Sequence, residues 1–479
     1  MQNRDQLIAE IAREVIARLQ INLPTPAAQA ASRPTAAEDG VFETVDEAVN
    51  AAAEAQKRVA AMSLDDRGRM VTIVRRICED RAAELARREL DETGIGRLDH
   101  KIEKLKLVKR VLGVEAMPTE ARTDSTGLCL IEHAPWGVIG MVLPATHSAP
   151  TMASNAINVL AAGTTAIFSP QPAAAKVAAY ALQLFNREIE RELGVADALT
   201  TVREPSIQAA EEIFKHPKVS LICVTGGRAV VQAASKHGKR VIAAGPGNPP
   251  VVVDETADLD AAAKAIVAGA AFDNNLLCIG EKEVFVVVKV VDAFVAAMRR
   301  AGAFELDPPA IERLTRAAFT FEGNGKGCGR AHVKGDLLGK DATVLAAAAG
   351  VKVPPDTPLL FGVTSADHAF VQEEQMMPFL PIVRVSDVDA GIAAAVQAEH
   401  GFRHTAMIHS RNLENVTKMA RAMNTTLFVH NAPCSAALGL GGPGYLSYSI
   451  ATPTGEGVTT PLTFTRERQI VVGGGLRII

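Results

Sequence analysis

The chain has 479 residues, of which 48% are hydrophobic and 22% are charged, and its formal net charge is −4 at pH 7. This balance is typical of a soluble globular protein with room for roughly three domains of about 150 residues. No block of basic residues interleaved with aromatics occurs, which argues against nucleic acid as the main partner. No apolar run approaches the roughly 20 residues that a membrane span needs, so no membrane association is expected.

The cysteines and histidines predict neither a disulfide framework nor a metal site. The chain has no CxxC pair and no HExxH motif, and its histidines show no metal-ligand spacing. In a chain of this length, scattered cysteines are typical of reduced cytosolic thiols. The cysteines are Cys78, Cys129, Cys223, Cys278, Cys328 and Cys434.

The chain opens with a short amphipathic segment on a tether. Residues 1–20 place apolar side chains at helical spacing, and charged residues interrupt any signal-peptide core. Residues 21–40 are rich in Pro and Ala and predict a flexible linker. Three interpretations fit the segment: a helix docked on the main body, a disordered terminus, or a docking tag for a partner's groove.

The body of the chain begins with helices and continues with two α/β series. Between residues 137 and 244, apolar strands alternate with helices, which predicts a parallel, doubly wound sheet. A second α/β series runs from residue 250 to about residue 429. Helices are predicted at 43–61, 64–92 and 98–112; strands at 126–134, 137–143, 165–168, 200–203, 219–224 and 240–244, then at 250–253, 283–289, 359–363, 382–385, 405–408, 426–429 and 463–472.

Two glycine motifs differ in their context. Residues 439–444 match GxGxxG but do not open a helix after a strand, so a flexible loop is the favoured interpretation. The turn formed by Thr225, Gly226 and Gly227 joins a predicted strand to a helix, where free backbone N–H groups can face a phosphate. The alternative is that its glycines serve turn geometry only.

Cys278 is the candidate nucleophile. It lies between a helix-like run at 256–272 and the strand-like run at 283–289, a position that presents a side chain to a substrate. Cysteine is the most intrinsically nucleophilic side chain near neutral pH. The alternative is a buried, inert cysteine, because reactivity depends on the pKa and exposure of the thiol.

A pair of carboxylates, Glu373 and Glu374, precedes the strand predicted at 382–385. A proline follows at residue 378, so a solvated turn is one interpretation. The functional alternative is a carboxylate that hydrogen-bonds the hydroxyls of a ribose.

In this order, the motifs resemble the aldehyde dehydrogenase superfamily over about residues 41–475. The finer resemblance is to the CoA-acylating aldehyde dehydrogenases of bacterial microcompartments, which oxidise propionaldehyde or acetaldehyde. The first resemblance is carried by residues 135–140, 158–165, 225–227, Cys278 and 373–378, and the finer one by residues 278–282, 404–410, 450–457 and the N-terminal tag.

The resemblance implies an aldehyde dehydrogenase-like α/β fold with two doubly wound, Rossmann-like domains and a small β oligomerisation element. Residues 41–118 and 136–248 would form the dinucleotide-binding domain, and residues 249–440 the catalytic domain. Residues 119–135 and 460–479 would supply strands that build a homo-oligomer, a dimer or a tetramer. Residues 1–20 would bind a shell or cargo protein and target the chain to the microcompartment lumen.

Four residues at three sites depart from the hydrolytic branch of that superfamily. Ala243 stands where hydrolytic members carry the Glu that activates water. Ala145 and Thr146 replace a Trp-Asn pair that supplies an oxyanion donor. Ser169 replaces a Lys that reaches the adenosine ribose, which leaves the choice between NAD and NADP open, with NAD the expectation.

The resemblance also implies residue roles. Cys278 would attack the aldehyde, its own N–H and the Thr146 hydroxyl would bind the oxyanion, and hydride would pass to NAD. Coenzyme A would then take the acyl group from the Cys278 thioester. Pro144, Ser169, Thr225, Gly226, Gly227 and Glu374 are the expected cofactor-binding residues, with Glu374 on the nicotinamide ribose.

A thiol ionises far more easily than water, with a reference pKa of about 8.5, so loss of the base at Ala243 suppresses hydrolysis more than thiolysis. His404 and His409 are candidates for tuning thiol protonation, although histidines on strands are often structural. Two other functions stay open: a hydrolytic aldehyde dehydrogenase that yields a free acid, and a non-catalytic cargo or scaffold protein on the same fold.

Overall fold

The structure is a computed structural model that describes residues 38–321 and 331–474. The predicted segment 1–20, most of the predicted linker and Cys328 lie outside the described residues. No helix in the described part of the chain is both long enough and apolar enough to span a membrane.

The helices follow the predicted periodicity closely. They are α1 (Val45–Ala61), α2 (Leu64–Asp80), α3 (Ala82–Thr93), α4 (Leu98–Leu107), α5 (Ser148–Ala161), α6 (Ala175–Leu193), α7 (Ile207–Lys215), α8 (Arg228–Ala234), α9 (Leu259–Ala271), α10 (Val291–Arg300), α11 (Pro308–Ala318), α12 (Ala342–Ala348), α13 (Ala369–Gln372), α14 (Val388–Ala398) and α15 (Leu413–Met423).

Local sequence explains where several helices begin and end. The Thr44 hydroxyl accepts from the N–H of Glu47 and starts α1 with a capping box. The single helix predicted at 64–92 is wrong: the chain leaves helical geometry at Arg81, which ends α2 and precedes α3. Buried apolar positions keep helical spacing across this break, so periodicity alone does not reveal it.

Within residues 38–321 and 331–474, the strands form two large parallel sheets and three small antiparallel ones. They are β1 (Val41–Phe42), β2 (Glu120–Asp124), β3 (Gly127–Pro135), β4 (Val138–Leu143), β5 (Thr165–Pro170), β6 (Leu199–Val202), β7 (Val219–Thr225), β8 (Arg240–Ala244), β9 (Pro250–Val253), β10 (Glu283–Val287), β11 (Phe304–Glu305), β12 (Phe319–Phe321), β13 (Ala331–Val333), β14 (Leu360–Thr364), β15 (Phe379–Val385), β16 (Thr405–His409), β17 (Leu427–His430), β18 (Ile450–Ala451), β19 (Gly457–Val458) and β20 (Thr465–Gly473).

The first large sheet has the strand order β1-β6-β5-β4-β7-β8, with every pair parallel. The sequence predicts five of these strands and misses β1, which is only two residues long. The N–H of Thr201 donates to Gly40 O, and the Asn186 amide donates to Asp39 O. The end of the predicted linker therefore belongs to the folded body.

The second large sheet has the order β11-β14-β15-β10-β9-β16-β17 and is also parallel throughout. Strands β2, β3 and β20 form a separate antiparallel sheet. All of β2 and most of β20 are exposed. The predicted fold, two parallel α/β sheets with a small β element, is confirmed.

Candidate active site

A cavity of about 650 Å³ lies at the carboxyl ends of β4, β5 and β7. Parallel α/β sheets bind ligands at this edge, because their strand ends converge there with the loops that follow them. The lining is mostly apolar and includes every predicted cofactor-binding residue except Glu374: Pro144, Ser169, Thr225, Gly226 and Gly227.

A segment near the C-terminal end of the chain holds two strand ends beside this cavity. The Thr225 and Ser449 hydroxyls lie 2.7 Å apart, and Ser449 Oγ donates to Asn155 Oδ1 at 3.1 Å. The N–H of Ala243 donates to Thr454 Oγ1 at 2.9 Å. The backbone of Ala243 is therefore hydrogen-bonded to a hydroxyl of this segment.

Cys278 follows a turn in left-handed conformation. Asp273, Asn274 and Asn275 all have positive φ, at 49°, 56° and 64°. Asp and Asn tolerate this region better than other residues with a Cβ, because their short polar side chains hydrogen-bond locally. The Asn275 amide does so, donating to Ala270 O at 2.9 Å and to Glu281 O at 2.8 Å. Cys278 is thus held at the end of a rigid turn.

Gly247 brings the Cys278 turn and His404 together. A Cβ on Gly247 would lie 2.7 Å from Cys278 O and 2.8 Å from His404 Cγ, closer than real contacts allow. The His404 ring is buried, its Nδ1 lies 2.8 Å from Thr405 Oγ1, and its Nε2 has no hydrogen-bond partner among the described residues. Burial lowers the pKa of His404 to about 4, so the ring is neutral at neutral pH.

Two charged side chains act on the Cys278 thiol. Burial, and then the nearby Glu374 carboxylate, raise the pKa of Cys278 to about 12, whereas Lys282 opposes this shift. Burial also raises the pKa of Glu374 to about 7, although the Gly247 N–H donates to that carboxylate and Lys282 lies nearby. The pocket around the thiol therefore holds one cation and one carboxyl group that titrates near neutral pH.

Thr146 lies on a cluster of four buried charges. Lys101 and Lys104 each direct Nζ at Thr146 O, at 3.5 and 3.4 Å. Lys101 also pairs with Glu89 at 2.9 Å, and Lys104 pairs with Asp273 at 2.5 Å. This cluster links the Thr146 loop to the turn that precedes Cys278.

The Thr146 hydroxyl also contacts a histidine. Thr146 Oγ1 lies 2.8 Å from His147 Nδ1. Burial lowers the pKa of His147 to about 3, so the ring is neutral and one of its nitrogens is unprotonated. If His147 Nδ1 carries the proton, the hydroxyl hydrogen of Thr146 is free to donate to a ligand.

The predicted site residues therefore fall into two groups. Cys278, Glu374 and His404 surround Gly247, while the other predicted cofactor residues line the cavity. His409 belongs to neither group, because it ends β16, where its O accepts from the N–H of Asp254.

Sequence reasoning missed the buried charges. The sequence pattern that could have revealed them is a charged residue on the buried face of a predicted helix. The buried residues Lys101, Lys104, Leu105 and Val108 follow the spacing i, i+3, i+4 and i+7. No group of three or more potential ligands for a metal ion occurs among residues 38–321 and 331–474.

The fold and the site define an α/β protein of two parallel sheets, with a nucleotide-sized cavity at one sheet edge and a turn-borne cysteine in the second half. The profile of the "Aldehyde dehydrogenase family" matches residues 24–443. The chain belongs to the aldehyde dehydrogenase family, as the sequence motifs predict.

Three similar proteins place the chain more finely. It is 46% identical over 448 residues, 93% of this chain and 95% of the relative, to the acetaldehyde dehydrogenase (acetylating) EutE of Salmonella typhimurium. A propionaldehyde dehydrogenase from the fucose utilisation bacterial microcompartment of Clostridium phytofermentans shares 39% identity, with a TM-score of 0.89 and coverage of 92% and 100% of the two chains.

The Rhodopseudomonas palustris propionaldehyde dehydrogenase, solved with bound CoA and an acylated cysteine, shares 40% identity. Its TM-score is 0.88, and the match covers 91% of this chain and 99% of that one. These names agree with the branch of the family that the sequence motifs predict.

Proposed function

We propose that this chain is a CoA-acylating aldehyde dehydrogenase that oxidises propionaldehyde or acetaldehyde with NAD⁺ and coenzyme A to acyl-CoA and NADH. The observation that carries the proposal is the surroundings of Cys278. The neighbouring segment, which contains Gly247, carries Ala243 at the position where a hydrolytic enzyme needs a carboxylate, and the Ala243 N–H donates to the Thr454 hydroxyl. The names of the similar proteins support the same assignment.

The cavity at the first sheet fits the adenosine half of a dinucleotide, since it is apolar, concave and at a strand-end edge. Glu374 would hydrogen-bond the nicotinamide ribose, which places the other half of NAD near Cys278. When bound there, NAD⁺ accepts the hydride that leaves the substrate carbon.

The chemistry on the protein begins with the Cys278 thiolate. Its sulfur bonds to the aldehyde carbon and forms a thiohemiacetal oxyanion, which the Cys278 N–H and the Thr146 hydroxyl stabilise as preorganised donors. His147 makes the Thr146 hydrogen available by donating its own Nδ1–H to Thr146 Oγ1. Loss of hydride leaves a thioester on Cys278, and the thiolate of coenzyme A displaces Cys278 from it.

Transfer to coenzyme A needs less base catalysis than transfer to water. A general base is worth roughly 10²–10⁴-fold to hydrolysis, whereas a thiol supplies its own anion near neutral pH. The carboxyl group that acts on the Cys278 thiol is that of Glu374. In this proposal it is hydrogen-bonded to the nicotinamide ribose and does not serve as a general base. His404, with its low pKa, holds a proton weakly. Its role is to orient the incoming thiol through Nε2.

The test is NADH formation from propionaldehyde and NAD⁺ with and without coenzyme A. We expect sustained NADH formation only with coenzyme A, and the amount of acyl-CoA formed should equal the amount of NADH formed. Sustained NADH formation without coenzyme A would assign the hydrolytic function instead. Absence of NADH under both conditions, with each aldehyde of two to four carbons, would favour the scaffold function.

The location is a further part of the proposal. Residues 1–20 would bind a shell or cargo protein and carry the enzyme into a microcompartment lumen, as the source of one similar structure suggests. Deletion of residues 1–20 is expected to leave the activity of the purified enzyme unchanged and to abolish its co-purification with shells. Co-purification of the truncated chain with shells at the full-length level would contradict this role.

The exposed sheet of β2, β3 and β20 would join subunits into a homo-oligomer. Val471 on β20 is 71% exposed, and Ile470 is 38% exposed. Replacing both with glutamate is expected to lower the mass measured by light scattering to that of a smaller species. An unchanged mass would exclude this strand from the interface.

A further inference from the structure

Lys282 is a fully buried lysine whose side chain reaches back to the turn before Cys278. It immediately precedes β10, four residues after the cysteine, and is 0% exposed. Its Nζ donates to Asn275 O at 2.7 Å and to Leu277 O at 3.2 Å, and it also donates to Asn275 Oδ1. Leu277, whose carbonyl accepts one of these hydrogen bonds, immediately precedes Cys278.

The hydrogen bonds identify the charged form of this lysine. An ammonium group carries three hydrogens and no acceptor, and here three oxygen acceptors surround it. A neutral amine would turn a lone pair toward one of those oxygens. Burial lowers the pKa of Lys282 below its usual value, and the nearby Glu374, Cys278, Cys434 and Glu283 offset part of this shift.

A buried cation beside the half-buried Cys278 thiol needs a reason, because desolvation makes such a charge costly. The reaction requires the Cys278 thiolate, and both burial and Glu374 disfavour that thiolate. Lys282 is the nearby charged side chain that favours it, and the backbone N–H groups of Cys278 and Ile279 act in the same direction. His404 is neutral, and burial raises the pKa values of Glu281 and Glu283, which weakens their charge near neutral pH.

We propose that Lys282 is a positioning residue for Cys278: its ammonium clamps the Asn275–Leu277 turn and supplies the positive charge under which the thiol ionises. The inference rests on the proposed function, in which Cys278 is the nucleophile. Its two parts, hydrogen bonding and charge, can be separated experimentally.

The experiment measures alkylation of Cys278 by iodoacetamide, in which the thiolate sulfur bonds to the CH₂ group and iodide leaves. Peptide mapping by mass spectrometry follows Cys278 alone, without aldehyde or coenzyme A, from pH 6.5 to 9.5. At pH values below the midpoint of the Cys278 titration, the rate of alkylation is proportional to the fraction of Cys278 present as thiolate. Because no turnover is needed, the result is independent of the NADH test of the overall function.

Lys282→Met is expected to slow alkylation about tenfold at every pH below the midpoint, the effect of one pKa unit. Lys282→Gln keeps a hydrogen-bond donor without charge and is expected to be as slow. Lys282→Arg keeps the charge and is expected to restore the rate to within about threefold of the parent. Lys289→Met removes an exposed lysine near the same strand and is the matched control, with no change expected.

Two outcomes would overturn the proposal: a Lys282→Met rate within twofold of the parent, or an Arg variant as slow as the Met variant. If Lys282→Met does not fold, the comparison is made between Glu374→Gln and Lys282→Met/Glu374→Gln, in which no carboxylate at residue 374 is left unpaired. The double variant is expected to be about tenfold slower than Glu374→Gln. Equal rates would contradict a charge effect of Lys282.

Discussion

Lys104 and Asp273 form an ion pair with 2.5 Å between Nζ and Oδ2, and the two side chains are 1% and 0% exposed. The pair joins α4 of the first half of the chain to the turn before Cys278. Asp273 Oδ1 also accepts from the N–H of Arg97 at 2.8 Å. The geometry of the cysteine turn therefore depends on a helix about 170 residues away in sequence.

Lys104→Met is expected to destabilise the protein by about 3–5 kcal/mol, because it leaves the Asp273 carboxylate buried without its partner. Lys104→Met/Asp273→Asn removes both charges and is expected to recover part of that loss. Chemical denaturation measures both variants. A double variant as unstable as the sum of the two single variants would show that the pair is not coupled.

Gly247→Ala is expected to reduce kcat at least tenfold. The new Cβ would overlap Cys278 O and the His404 ring, so both must move. Gly335→Ala is the matched control, since a Cβ there meets no atom of residues 38–321 or 331–474 within 4 Å, and its kcat is expected to stay within twofold of the parent. Steady-state kinetics with propionaldehyde, NAD⁺ and coenzyme A checks both variants. Normal kcat in Gly247→Ala would mean that this contact does not position the cysteine.

Cys278→Ser is expected to lower NADH formation by at least about a hundredfold, since a hydroxyl is a far weaker nucleophile than a thiol at neutral pH. Binding of NAD⁺, measured by calorimetry, is expected to persist because the cavity residues are untouched. Cys129→Ser, on the partly exposed strand β3, is the control and should retain full activity. Substantial turnover in Cys278→Ser would assign the nucleophile elsewhere.

Glu281 is expected to make stability fall as the pH rises. Its carboxyl group is buried, Oε1 accepts from the N–H of Cys434 at 2.9 Å, and Oε2 has no hydrogen-bond partner in the part of the chain that the structure describes. Burial raises the pKa of Glu281 from 4.5 to about 7 in the folded protein. The folded state therefore binds the proton more tightly than the unfolded state, and this stabilisation, present below pH 4.5, is lost as the pH rises through about 7.

Glu281→Gln keeps the acceptor for the Cys434 N–H but cannot ionise, so it should lose less stability between pH 5 and 8 than the parent. The difference is expected to be roughly 3 kcal/mol. Melting temperatures across this pH range provide the measurement, with Glu414→Gln on the exposed face of α15 as the control. Identical pH profiles for the parent and Glu281→Gln would refute the raised pKa.

Much of the fold could be predicted because its signals are local. Apolar runs between polar turns mark β4, β5, β7 and β8, and these strands appear within three residues of their predicted bounds. The two-residue strand β1 was not predictable, since so short a segment has no periodicity. The break at Arg81 was missed for the opposite reason: the apolar pattern continues through it.

The sequence alone determined the order of elements, the family, the cysteine at a helix–strand junction and the absence of a carboxylate at Ala243. These properties follow from residue identity and spacing along the chain, so they can be predicted without knowing any tertiary contact. Only the tertiary structure decided which distant side chains meet: Lys104 with Asp273, Ser449 with Thr225, and Gly247 between Cys278 and His404. Such contacts depend on how the sheets and helices pack. The sequence around a charged residue does not reveal whether that residue is buried against a partner of opposite charge.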